Sequence, residues 1–116
     1  MTLSDFYAEL GGSLSAVLAR IPNEQMILKF VRMYQADPSF GQLLTASESA
    51  DWPTAFRAAH TLKGVAQNLG LERLQRAASA LTEHLRGPKP LTQPELLEAV
   101  KAEQARVLQA LGQLDA

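Results

Sequence analysis

Residues 58–86 read AAHTLKGVAQNLGLERLQRAASALTEHLR, and the way this stretch divides decides the fold. Ala, Leu, Glu, Gln and Arg dominate it, all good helix formers, and it shows no strand-like alternation of polar and apolar residues. Gly70 interrupts the pattern. Glycine adopts the left-handed backbone that commonly ends a helix, so Gly70 predicts a stop followed at once by a new start. The stretch belongs to two helices, at about 52–69 and 71–86. So short a joint makes them neighbours that run roughly antiparallel. Asp51 is placed to cap the first, with Pro53 tolerated in its first turn, and Gly87-Pro88-Lys89-Pro90 ends the second.

Outward from this hairpin the same signals recur. Thr92 with Glu95 forms a capping-box pattern that opens a last helix at about 93–114, whose apolar stripe is Leu97, Val100, Val107, Leu111 and Leu114. Upstream, Asn23 caps a helix at about 24–36 with the stripe Met26, Ile27, Phe30, Met33 and Tyr34. Pro38 ends that run, Ser39 caps a shorter helix at about 40–49, and the segment SESAD is a polar connector. Two short helices come first: about 4–10, stopped by Gly11-Gly12, and about 14–20, ending before Pro22. The chain is predicted to be all-α, an antiparallel four-helix bundle of 24–36, 52–69, 71–86 and 93–114 with short N-terminal flanking helices. All 116 residues are expected to form one domain, with the bundle core at about 23–114.

Composition narrows the function. Eleven basic and twelve acidic residues leave a net charge of −1, which argues against a nucleic-acid or anionic-membrane binder. With no cysteine there are no disulfides and no thiolate chemistry. The first residues, MTLSDFYAEL, lack the basic start and long apolar run of a signal peptide, and no stretch nears the ~20 apolar residues that span a bilayer. A soluble, cytoplasmic monomer is the expectation.

On a wheel at ~100° per residue, the helix at 52–69 has two faces. Ala55, Ala58, Leu62, Val65, Ala66 and Leu69 point inward; Arg57, His60, Lys63, Gly64 and Gln67 point out. His60 thus has a cation at i+3 and a glycine at i+4, and Phe56 lies at the strip's edge. A glycine inside a helix costs roughly 0.5–1 kcal/mol relative to alanine, and here it would clear the approach of another protein. Lys63 beside the ring would attract a phosphoryl group once one is attached. A lone surface histidine is usually inert, as is a lone His-x-x-Lys. The three residues together suit phosphoryl transfer better than any one alone.

The run His60-Thr61-Leu62-Lys63-Gly64, followed by Leu69-Gly70-Leu71 and a leucine-rich second helix, resembles the signature of the histidine-containing phosphotransfer (HPt) domain family. The resemblance covers 58–86, about a quarter of the chain. It implies an antiparallel four-helix bundle and reversible transfer between an exposed histidine and the aspartate of a receiver domain. His60 is then the phospho-acceptor, Lys63 its charge partner and Gly64 the clearance position, supported by Gln67, Thr82 and Arg86. Several relatives carry Gln where this chain has the shorter Thr82. On the wheel Gln75, Ser79, Thr82, Glu83 and Arg86 form a polar strip opposite Leu74, Ala78, Leu81 and Leu85.

Other readings are weaker. A domain phosphorylated in trans by a chemotaxis-type histidine kinase would surround its histidine with charge, which Ala58, Ala59 and Thr61 do not supply. A purely scaffolding bundle has no need of His60, Lys63 and Gly64 together. A metal-binding bundle needs Glu-x-x-His pairs, whereas His84 has Leu81 at i−3 and looks like a solvent-edge residue. No Gly-rich phosphate loop or paired carboxylates mark an enzyme. No cofactor of its own is expected, with Mg2+ brought by the partner receiver domain.

Overall fold

The computed structural model describes residues 1–115; Ala116, the last residue of the expected domain, lies outside the described residues. In chain order the helices are α1 (Leu3–Glu9), α2 (Leu14–Leu18), α3 (Glu24–Met33), a 3-10 turn (Tyr34–Ala36), α4 (Ser39–Glu48), α5 (Trp52–Leu69), α6 (Glu72–Leu85) and α7 (Pro94–Gly112). The described residues contain no strand.

The hairpin of α5 and α6 is the centre of the molecule. Asp51 accepts the Thr54 N–H at 3.3 Å and starts α5. Gly70 takes φ +72° at its end, and the Leu71 N–H turns back to the Ala66 carbonyl at 2.9 Å. On α5 the buried line is Ala55, Ala58, Ala59, Leu62 and Ala66; Val65 and Leu69 are half-buried at its margin. On α6, Leu74, Ala78, Leu81 and Leu85 are buried opposite. The small alanines let the helices approach closely, and the leucines fill the space between them.

The remaining walls are α7, packed along α6, and a broken segment running from α3 through the 3-10 turn into α4. The shorter α4, expected outside the four main helices, packs along α5 far more extensively than α3 does. Phe30, Met33 and Tyr34 instead border one surface hollow with Val65, Asn68 and Leu69 near the end of α5. The buried line of α3 is Ile27 and Val31, continued by Tyr34, while Met26 and Met33 are exposed. The Tyr34 hydroxyl donates to Gln104, a buried residue of α7, so the polar pair on this inward side is satisfied.

Two expected caps are replaced. Thr92 caps nothing: Gln93 precedes α7 without a side-chain bond, and the Thr92 N–H donates to Nε2 of His84 at 3.0 Å. His84 is therefore half-buried and bonded to the chain ahead of α7. At α4 the helix starts on Ser39 itself, and Asp37 accepts the Ser39 N–H at 2.9 Å. The N-terminal helices close the other end of α5. The Tyr7 hydroxyl donates to the Leu69 carbonyl at 2.6 Å, and Arg20 donates to the Gln67 carbonyl at 3.0 Å. The first satisfies a carbonyl that the helix end leaves without a partner, and the second joins the Gly70 N–H on the Gln67 carbonyl.

Candidate functional site

His60 lies midway along α5 with its side chain exposed, on the face the helical wheel assigns it. Lys63 and Gly64 follow one turn later and are half-buried. A Cβ built on Gly64 meets no atom within 4 Å. Internal packing thus does not require this glycine, and the surface beside His60 is open where a side chain would otherwise stand. Gln67 is exposed on the same face, about 10 Å further along the axis at 1.5 Å per residue.

Aromatic and charged groups border the imidazole. The Phe56 ring centroid is 6.2 Å from that of His60, with the planes tilted by 38°. From the C-cap of α6 the Arg86 guanidinium carbon sits 5.3 Å from the Phe56 centroid, within cation–π range. Phe56, Arg57, His60, Thr61 and Arg86 line one surface hollow. The α5–α6 hairpin accordingly brings Arg86 to the histidine, as the sequence suggests.

Thr82 is a correction. Its side chain is fully buried, and its hydroxyl donates to the Ala78 carbonyl at 2.7 Å, one turn back on its own helix. It takes no place on the polar strip. The signal lay in the spacing: Ala78 at i−4 and Leu85 at i+3 both face inward, and Thr82 shares their line. A hydroxyl so placed satisfies itself on the helix backbone.

Glu83, assigned no role from its place on the polar strip, is bonded to Arg86. Arg86 donates to it twice, Nε to Oε2 at 3.0 Å and an Nη nitrogen to Oε1 at 2.9 Å. These bonds hold the Glu83 carboxyl below the ordinary carboxylate range against desolvation, and the charges of Arg86 and Lys63 act the same way as the bonds. The same bonds hold the Arg86 guanidinium above its ordinary value. The i, i+3 spacing of a carboxylate and an arginine was the available signal. Lys63 has no ion-pair partner among the described residues. Nor do the described residues place three or more His, Cys, Asp or Glu side chains together as a metal site.

Such a bundle has the make-up of a phosphocarrier module: one exposed histidine in mid-helix, an open glycine position beside it, and cations around it. The Hpt domain family model matches residues 25–116, and the chain belongs to that family. Hpt domains are phosphocarrier modules of two-component signalling rather than enzymes of the ordinary kind. Comparison with curated proteins and with solved structures gives no match. No helix among the described residues is long and apolar enough to cross a membrane.

Proposed function

We propose that this chain is a relay in a two-component phosphorelay, with His60 accepting a phosphoryl group from one receiver-domain aspartate and passing it to another. The observation that carries this reading is the exposed His60 with an unobstructed Gly64 one turn away, in an Hpt-family bundle. In the accepting step the lone pair of a ring nitrogen attacks phosphorus. The N–P bond forms as the acyl phosphate P–O bond breaks, and the aspartate leaves as a carboxylate with the bonding electrons. The donating step is the reverse.

Each residue has a part in this. Gly64 lets the receiver's surface close on the helix so that its aspartate reaches the ring, a positioning effect that only proximity can supply. Lys63 lies beside the phosphoryl group in the complex and offsets its charge, as a charge-assisted contact does. Arg86 acts from α6, Gln67 borders the docking face, and Thr82 supports the site only through its place in the core. Mg2+ and the carboxylate chemistry belong to the receiver. The relay works in the cytoplasm as a monomer, and its partners are receiver domains of response regulators or hybrid kinases.

Phosphotransfer profiling tests the reading: the pure protein is mixed with each phosphorylated receiver domain of its source organism and label is followed over time. Rapid transfer from a small subset, acid-labile and alkali-stable on this chain, is the expected result. Uniformly slow labelling by every receiver would overturn it.

A further inference from the structure

We infer that Glu83 is a positioning residue that parks Arg86 at the rim of the His60 hollow, and that a phosphoryl group on His60 draws the guanidinium off it. This rests on the reading of His60 as the phospho-acceptor and adds what sets the lifetime of the phosphorylated form.

The geometry carries it. Glu83 engages Arg86 through two donors, Nε and one Nη nitrogen, and the guanidinium lies over Phe56, whose ring flanks His60. Arg86 and His60 line the same hollow. The pair is nonetheless weakly held. Both side chains are about half exposed, at 52% and 56%, and they sit three residues apart, Glu83 in the last turn of α6 and Arg86 at its C-cap. An exposed pair of this kind contributes little, because water competes with it. A phosphoryl group on the ring brings a charge of roughly −2 and three strong acceptor oxygens, against the single charge of Glu83. The guanidinium fork suits phosphate oxygens as well as it suits a carboxylate. Phosphorylation therefore shifts Arg86 from the weaker acceptor to the stronger one, and Glu83 competes against that shift.

Removing the competing charge should strengthen the hold of Arg86 on the phosphoryl group. Glu83→Gln keeps the size and one acceptor oxygen but not the charge. Its phosphohistidine should last roughly two- to fivefold longer than in the wild type, the range that an exposed ion pair supports. Arg86→Gln should shorten the lifetime, and adding Glu83→Gln to it should change nothing further, because Glu83 acts through Arg86.

The test uses the full chain and phosphoramidate. A ring nitrogen of His60 attacks its phosphorus, the donor P–N bond breaks, and ammonia leaves with the electron pair. Excess donor is removed, and loss of label is followed at neutral pH in the wild type, the two single variants and the double variant. Melting temperatures are measured alongside and should be equal. The Arg86 Nε–H resonance should move on phosphorylation of the wild type. Equal lifetimes for wild type and Glu83→Gln would overturn the inference while leaving His60 as acceptor. So would an equal lengthening with Arg86 absent, since Glu83 would then act by its own charge alone. Failure of the wild type to take label on His60 would overturn the underlying reading, and the inference with it.

Discussion

The middle of α5 and its C-terminal end each carry a glycine, and the two have opposite surroundings. At Gly70 the backbone has φ +72°, and an added Cβ would stand 2.3 Å from Val17 Cγ2 and 3.3 Å from Tyr7 Cε1. At Gly64 the backbone is helical and an added Cβ meets nothing within 4 Å. The end of the helix is thus fixed by internal contacts, which also include Tyr7 on the Leu69 carbonyl and Arg20 on the Gln67 carbonyl. The middle makes no such demand, so nothing in the fold calls for a glycine there. One residue type serves the fold in one place, and in the other it leaves room for the clearance role proposed for it.

Substitution should separate the two regions, and the largest stability effect belongs at the helix end. Gly70→Ala forces a side chain into left-handed backbone and against Val17, so unfolding by denaturant should show a loss of about 2–4 kcal/mol. Transfer per folded molecule should stay near wild type. Tyr7→Phe leaves the Leu69 carbonyl without its donor and should cost about 1–2 kcal/mol in the same assay, again without slowing transfer. If either variant transferred slowly while fully folded, the helix end would have a part in the chemistry.

In the middle of α5 the pattern should invert. Gly64→Ala raises helix propensity without a clash, so stability should hold or rise by about 0.5–1 kcal/mol while transfer from a receiver slows. Gly64→Gln should slow it further, and wild-type transfer by that variant would remove the clearance argument. Lys63→Ala should change stability least, by no more than about 0.5 kcal/mol. It should still lower the transfer rate or shorten the phosphohistidine lifetime. A time course beside a thermal melt reads both.

The hairpin was legible in the sequence because its signals are local. Asp51 as a cap, Pro53 in the first turn and Gly70 as a left-handed stop each act within a few residues, and the structure places all three as expected. Thr2 with Asp5 is equally local, a capping box that starts α1, but with Asp in place of the usual Glu or Gln it does not stand out in the sequence. Thr92 shows the limit of such patterns. Its N–H goes to His84, a residue on the preceding helix, and no spacing rule anticipates that competitor.

The inner face of α3 was illegible for a related reason. Met26 and Met33 are apolar, as are Ile27 and Val31, and the inward side is the one that carries Tyr34 to Gln104 on α7, a contact distant in sequence. At the site, the wheel placed His60, Lys63, Gly64 and Gln67 on one face because a single helix carries them. Arg86 required the hairpin to be read as well. Thr82 failed because a polar residue was assumed to face water, although its neighbours at i−4 and i+3 face the core. Residues 1–24 lie ahead of the family match, yet Tyr7 and Arg20 from that segment complete the end of α5.

In the proposed relay, phosphoryl flow passes through one of the two histidines in the chain. The histidines differ sharply: His60 is exposed beside an open glycine, whereas His84 accepts the Thr92 N–H. The direct measurement is to expose wild type, His60→Gln and His84→Gln to a phosphorylated receiver that labels the wild type, then map acid-labile, alkali-stable label by peptide. All label should sit on His60, vanish in His60→Gln and persist in His84→Gln. Label retained by folded His60→Gln, or lost from folded His84→Gln, would contradict the assignment of His60 as the phospho-acceptor.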